Sequence, residues 1–424
     1  MDKKARQSSK LIIFLCWAAY TVAYLGRLNF NAYIEPIRDQ LGASKTELGL
    51  VSSFFFFSYG AGQLIHGILS RKYNTRWSVA VALIGSAAVN VGMTLCPGVS
   101  AMKYVWLLGG MFQSVLWSSL IKTLSERLPD EMLPKAVVVM STTAALGTFL
   151  SYGLAALFSS FGANYRLIFY VPAVLLTLVG LGWFVLLGKA DRTARESESP
   201  AYVPAPKKRP SLTPVFVVTS LFLVFAAIAN GFIKDGVTTW TPSILKESYG
   251  MPESLSIFIT VLLPLIAIFG ATLSATLYKR MQSTSKLDAM FYGVEAVVLL
   301  AVFLLARARE AGGAPNSPVF LIVLFGFSAM LMAAVNNVIT SIIPLTMRDS
   351  MDSGLLAGVL DTFCYVGSTM STALLAYIAD HGSWNGVFLC LLLFGAMACL
   401  LCTISVFLGK KAPASTADIS NTNS

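Results

Sequence analysis

In 424 residues, hydrophobic side chains make up 56% and charged ones 12%, about half the ~25% charged share of soluble domains. So little polar material cannot cover a water-soluble exterior, which excludes a soluble enzyme or regulatory domain and implies a chain that crosses the membrane many times. The net charge of +10 does not mark a nucleic-acid binder, because the basic residues are scattered through short loops rather than gathered on a stripe.

Apolar runs of about 20 residues, long enough to span a bilayer, lie near 11–37, 48–69, 77–95, 104–124, 136–160 and 167–188. A second set follows near 214–240, 254–278, 287–306, 318–345, 354–379 and 385–409. The stretch 189–213 between them is charged and proline-rich, with Lys207, Lys208 and Arg209, and reads as a linker. The expected architecture is an all-α membrane protein of twelve transmembrane helices. Its parts are a six-helix half at 1–188, the linker at 189–213, a second half at 214–409 and a tail at 410–424. The basic start and first apolar run have the shape of a secretory signal but no convincing small-residue cleavage site, so the first run is expected to stay as a helix.

Counting Lys and Arg in alternate segments from the N-terminus puts 22 on one side of the membrane and 7 on the other. That excess places both termini and the linker in the cytoplasm, with a bacterial inner membrane as the expected location. Two of the 31 basic residues remain inside apolar runs, Arg27 and Lys234. A basic side chain in hydrocarbon costs roughly 3 kcal/mol on insertion scales and persists mostly where it works or pairs. The two are 207 positions apart, Arg71-Lys72 recurs as Lys279-Arg280 at an offset of 208, and Pro36 and Pro242 follow the two basic residues at similar spacing. Parallel halves that hold a substrate between them are a known transporter plan. Arg27 and Lys234 are therefore expected to face each other across a central axis and to form an anion site.

Tyr20, Tyr24, Arg27 and Asn31 share one face of the first helix, and Asn230, Lys234 and Thr238 repeat at steps of four in the seventh. Further polar groups are Gln113 and Trp117 in the fourth helix, Asn336, Asn337, Thr340 and Ser341 in the tenth, and Tyr365, Ser368 and Thr372 in the eleventh. Taken singly, such residues more often bond a neighbouring helix than a ligand, but the stripes that hold Arg27 and Lys234 carry charge that needs neutralising. Four acids fall in or near the runs: Glu35, Asp235, Glu295 and Asp361. Asp235 follows Lys234 directly and points about 100° away, so it is expected to be a poor direct partner. Glu35 lies near the outer end of its helix, where solvation is expected. Asp361 is best placed to pair with Lys234 in the empty protein or to take up a proton. His66 and His381, at helix ends, read as structural. Cys399 and Cys402 have CxxC spacing but sit in an apolar helix without partner ligands, so packing is expected, with no metal, no cofactor and no redox role. No nucleophile–base pair or phosphate-cradling glycine loop is found, which argues against an enzyme.

The two halves, the twelve helices and the segment from Gly67 to Arg76 resemble the major facilitator superfamily. Within it, Tyr20, Tyr24, Arg27, Asn29 and Phe30 look like the first-helix signature of the organophosphate:phosphate antiporters, which include bacterial glycerol-3-phosphate and hexose-phosphate exchangers. Phe112, Gln113 and Trp117 continue the resemblance, as do Lys234, Trp240, Pro242 and Glu247. So do Gly354, Gly358, Tyr365, Gly367, Tyr377, Asp380, Trp384 and Gly386, so that it spans most of the chain. The resemblance implies the major facilitator fold, a monomeric carrier in the bilayer, and exchange of an organophosphate for inorganic phosphate or another organophosphate. It also implies that Arg27 and Lys234 hold the phosphoryl group. The chain departs from the family at Arg71 and Lys279, which stand where the loop motif has acids. It also lacks the helix-five histidine among residues 142–148, has Ser118-Ser119 for the double proline of helix four, and has no Gly-Pro in helix ten. Arg27-x-Asn29 and the segment Phe57–Gln63 also look somewhat like the anion:cation symporters of sugar acids. There, Asp361, Glu295, Glu35 or Asp235 would be the coupling acid. A third reading, a membrane sensor of organic phosphates, finds no signalling segment in the short tail.

Overall fold

The computed structural model describes residues 3–69, 74–129, 131–194, 213–313, 317–347 and 353–411. Arg71, Lys72, most of the linker and most of the tail lie outside the described residues. Among those described, every regular element is helical, and twelve helices are long and apolar enough to cross a membrane. They are α1 (Gln7–Ala32), α2 (Lys45–His66), α3 (Thr75–Leu95), α4 (Val99–Arg127), α5 (Thr142–Ser160) and α6 (Leu167–Gly188) in the first half. The second half holds α7 (Pro214–Tyr249), α8 (Glu253–Met281), α9 (Thr284–Glu310), α10 (Val319–Thr346), α11 (Leu355–His381) and α12 (Trp384–Leu408).

The packing repeats between the halves. In the first, α2 packs on α4, α3 on α6 and α1 on α5; in the second, α8 packs on α10, α9 on α12 and α7 on α11. The halves meet through α2 against α11 and through the symmetry-related pair α5 against α8. The α2–α11 contact is close because its surfaces are small. A Cβ on Gly49 would lie 2.3 Å from the Thr372 carbonyl oxygen, and small residues of this kind let membrane helices approach backbone to backbone.

The first apolar run does not continue to residue 37. Pro36 has no N–H, and its ring would collide with the Ala32 carbonyl, so the helix stops at Ala32 and restarts after Tyr33 as the short helix Ile34–Leu41. That helix is closed by Gly42 at φ +63°, and α7 is closed by Gly250 at the same angle. Glycine adopts this left-handed conformation without the strain of a side chain. Other spans are interrupted too: α4 breaks at Val115, α8 at Val261, and α10 widens to a π-turn at Val338–Ile342. Such wide turns arise where the regular ladder is disturbed and often accompany functional sites. Of the CxxC cysteines, Cys402 is buried and Cys399 partly buried, and both are free.

Candidate functional site

A cavity of about 970 Å³ lies between the halves. Its walls include Tyr20 and Tyr24 from α1, Gln63 from α2 and Trp117 from α4, with Lys234 from α7, Asn336 from α10, and Asp361 and Tyr365 from α11. It extends toward the face where α1 begins, past Lys122, Ser125, Glu126 and Leu355. The alternating helices bring these residues to one end of the bundle, here called the near face.

Arg27 stands at the closed end. Its Cζ lies 3.7 Å from the Tyr24 ring centroid and 5.2 Å from that of Tyr59. Tyr20 packs on Trp117 at 4.9 Å and on Tyr24 at 5.1 Å, and Tyr59 packs on Tyr365 at 4.7 Å. This aromatic collar orients the guanidinium through ring stacking without cancelling its charge. Among the described residues no carboxylate comes within ion-pairing distance of Arg27. The cavity wall is formed by the Tyr24 ring, on which Arg27 rests, and not by Arg27 itself.

Lys234 lies on the wall. Its Nζ is 3.8 Å from Asp235 Oδ2, which also accepts a 2.5 Å hydrogen bond from the Ser368 hydroxyl of α11. The expectation that Asp235 would be a poor partner is corrected. The long Lys234 stem turns back toward the carboxylate, and Ser368 holds the carboxylate in place. Asp361 shares the wall with Lys234, without an ion pair between them among the described contacts.

Other residues singled out from the sequence lie elsewhere. Asn31 sits beyond Arg27, accepting from the Ser52 hydroxyl at 2.6 Å and donating to Thr239 at 3.4 Å, so it joins the halves rather than lining the cavity. Asn230 is buried and donates to the Met332 carbonyl at 2.7 Å. Asn337 turns to α8, donating to Ser274 at 2.9 Å. Gln113 is buried, and among the described residues its Oε1 has no partner. Glu295 is fully buried between α9 and α10, where Ser328 donates to it at 2.5 Å, well apart from the cavity wall. The interhelical role common for such groups accounts for these positions.

Glu35 was expected in solvent and is instead buried, in the closure at the far face. Ser243 donates to it at 2.5 Å, Arg38 pairs with it at 2.9 Å, and Lys246 lies 3.5 Å away. Burial raises its pKa above the ordinary carboxylate value, with Arg38 opposing that effect. At Asp39, partial burial also disfavours the charge, but the Lys246 ammonium and Arg38 outweigh it and hold the carboxyl below its usual value. Beside them Glu247 gathers Arg38, Lys45 at 3.0 Å and the Trp384 indole at 2.9 Å. Asp380 of α11 caps the start of α2, accepting from the Thr46 N–H and hydroxyl at 2.6 Å each. Groups from both halves thus seal the far face, and the cavity opens at the near face.

Sequence reasoning took Tyr59 and Gln63 only as part of a family-like segment and not as site residues, although their i, i+4 spacing on α2 puts them on one face. It also missed the Lys122–Glu126 pair, 3.7 Å apart on α4, because Lys122 was counted as a loop residue.

A family model described as the Major Facilitator Superfamily matches residues 16–351. The chain belongs to that superfamily. Membership makes it a multi-pass membrane transporter and not an enzyme. The glycerol-3-phosphate transporter of Bacillus subtilis (strain 168) is 24% identical over 97% of this chain and 94% of its own length. The hexuronate transporter of the same organism is 22% identical over 89% of this chain and 90% of its own length. In fold, the chain is similar to a bacterial homolog of the human lysosomal transporter Spinster, solved in an inward-facing and occupied conformation. The TM-score is 0.72 at 14% identity, over 97% of this chain and 98% of that one. The superfamily fold explains why the packing repeats and why the polar cavity lies between the repeats.

Proposed function

We propose that this transporter carries small organic anions by alternating access, exchanging an organophosphate for inorganic phosphate or another organophosphate. In this reading Arg27 and Lys234 hold the phosphoryl group. The observation that carries it is that Lys234 lines the cavity while Arg27, at the equivalent place in the other half, rests directly behind the Tyr24 ring of the cavity wall. The glycerol-3-phosphate transporter among the relatives supports a phosphoryl guest. The guanidinium offers a planar fork for two acceptor oxygens and the ammonium a compact point charge, which together suit a phosphomonoester.

Lys234 already has Asp235 beside it, whereas Arg27 has rings alone. Closing the cavity around an unneutralised guanidinium carries a desolvation penalty of several kcal/mol. An anion that draws Arg27 past Tyr24 lowers that penalty, so occupancy favours the occluded state. The two halves, 1–188 and 214–409, then rock about the site in a monomer with both termini in the cytoplasm. In that orientation the open near face looks into the cell.

The test is counterflow in proteoliposomes loaded with labelled inorganic phosphate and challenged with glycerol 3-phosphate, glucose 6-phosphate and glucuronate. Release driven by the phosphate esters is expected. Release driven by glucuronate alone would replace the organophosphate with a sugar acid, the guest in the name of the hexuronate relative.

A further inference from the structure

The charged groups around the cavity sum to zero before any guest enters, although Arg27 has no carboxylate at ion-pairing distance among the described residues. Lys234 and Asp361 line the wall, and Arg27 and Asp235 stand behind it. Asp235 is engaged, with Lys234 at 3.8 Å and the Ser368 hydroxyl at 2.5 Å. Lys122 and Glu126, nearer the mouth, face each other at 3.7 Å. Asp361 lies on the wall without a salt-bridge partner among the described contacts. It faces Lys234 and Asp235 from α7 and Arg27 from α1, and the Gln63 amide of α2 donates a hydrogen bond to it; Tyr24 shares the wall, and Cys364 and Tyr365 neighbour it on α11. From α10 the wall receives Asn336, Thr340 and Ser341, none of them titratable.

A phosphate ester with no cation of its own would leave this cavity strongly negative when it closes. Its oxygens would also share a poorly solvated space with the Asp361 carboxylate, and like charges at such range are costly. A guest that brings its own ammonium cuts the excess from about two negative charges to about one and gives Asp361 a charge-assisted hydrogen bond. Asn336 adds a polar side chain to the wall on a helix packed against α11, and among the described residues its buried Oδ1 has no hydrogen-bond partner.

We propose that the preferred guest is a zwitterion, an organic phosphate that also bears an ammonium group, and that Asp361 selects it by receiving that ammonium. This rests on the anion reading above, with the phosphoryl group at Arg27 and Lys234.

The test compares ethanolamine phosphate with 2-hydroxyethyl phosphate, which differ by an ammonium against a hydroxyl at nearly equal size. Each is offered at pH 7.5 to proteoliposomes loaded with labelled inorganic phosphate. The wild type is expected to favour ethanolamine phosphate by about tenfold or more in kcat/KM, the scale of one charge-assisted hydrogen bond. Asp361→Asn should bring the ratio near one and Asp361→Glu should keep the preference, whatever their absolute rates. Equal use of both esters by the wild type would overturn the zwitterion and leave the anion reading standing. Failure of every phosphate ester to exchange would overturn the anion reading itself. A preference for the hydroxyl ester that grows from pH 8 to pH 6 and vanishes in Asp361→Asn would assign the carboxylate to a proton, which also overturns the proposal.

Discussion

Glu35 and Ser243 stand 208 positions apart and share a 2.5 Å hydrogen bond. Asn31 and Thr239 meet at the same separation, as do Asp39 with Lys246 at 207 and Arg38 with Glu247 at 209. These spacings match the offset between Arg27 and Lys234, so the ends of α1 and α7 touch at equivalent positions across the axis relating the halves. Closure of the far face is the repeat meeting itself.

The buried Glu35 makes that closure respond to pH. Its pKa is raised in the closed form, so the closed form binds the proton more tightly than an open form with Glu35 in water. The stabilisation from this group is full below the ordinary glutamate value and is lost as pH rises through the raised one. Asp39 has the opposite sign: its pKa is lowered, and its contribution is present above the ordinary aspartate value and lost as pH falls through the lowered one. Spin-label distances across the far face should therefore show the closed population falling as pH rises just above the usual carboxylate range. Glu35→Gln should flatten that slope while leaving the Asp39 loss at lower pH. A slope that persists in Glu35→Gln would assign it to another group.

Glu247 joins four elements in one carboxylate, bringing Arg38, Lys45 and Trp384 together. Its side chain is 28% exposed, so its pairs are screened and worth about 1 kcal/mol together rather than several. Glu247→Gln should shift the balance toward an open far face by roughly fivefold at low salt, and by less at 0.5 M salt as screening takes over. Thiol labelling of a single cysteine placed on that face, in a background without native cysteines, reads the change directly. An unaltered labelling rate would mean the apolar α2–α11 contact closes the face alone.

The twelve spans and the repeat were legible because each rests on length and hydropathy, which act locally. Arg27 and Lys234 were legible for the same reason, as charges left over inside apolar runs. Glu35 was misjudged because burial at a helix end depends on the facing half, and nothing near residue 35 announces Ser243. Asp235 was misjudged because the angle between neighbours on a helix fixes Cβ directions but not where the long Lys234 side chain ends. Asn230, Asn337 and Glu295 show the limit of polar stripes. The same periodicity serves a cavity or a neighbouring helix, and only the packing decides which.

Gly49 sits where the halves press hardest. An added Cβ would lie 2.3 Å from the Thr372 carbonyl oxygen and 2.7 Å from the Ala376 Cβ. A backbone oxygen cannot swing aside as a flexible side chain can, so α2 and α11 must separate. Gly49→Ala should favour the state open at the far face, and Gly49→Val should trap it there, lowering phosphate exchange at least tenfold. Labelling from the far side should rise in step. Exchange at the wild-type rate in Gly49→Val would show that the helices do not need to close to this distance.

Arg27 is the sharpest test of the anion site, because its two virtues can be removed separately from its charge. Arg27→Lys keeps one positive charge but loses the fork that meets two oxygens at once and the flat face that rests 3.7 Å from the Tyr24 ring centroid. If binding is bidentate, the loss is one charge-assisted hydrogen bond plus the orientation supplied by stacking, roughly 2–3 kcal/mol. Titration calorimetry with glycerol 3-phosphate on the purified protein should then show about 30- to 150-fold weaker binding in Arg27→Lys, and no measurable binding in Arg27→Ala. Lys234→Arg should bind within about fivefold of the wild type, since Lys234 acts as a point charge that arginine also supplies. Both side chains stand beside a cavity rather than in packed hydrocarbon, so the variants should remain folded, which thermal unfolding would verify. Near-normal binding by Arg27→Lys would show that charge alone suffices there, and binding by Arg27→Ala would remove the anion from this end of the cavity.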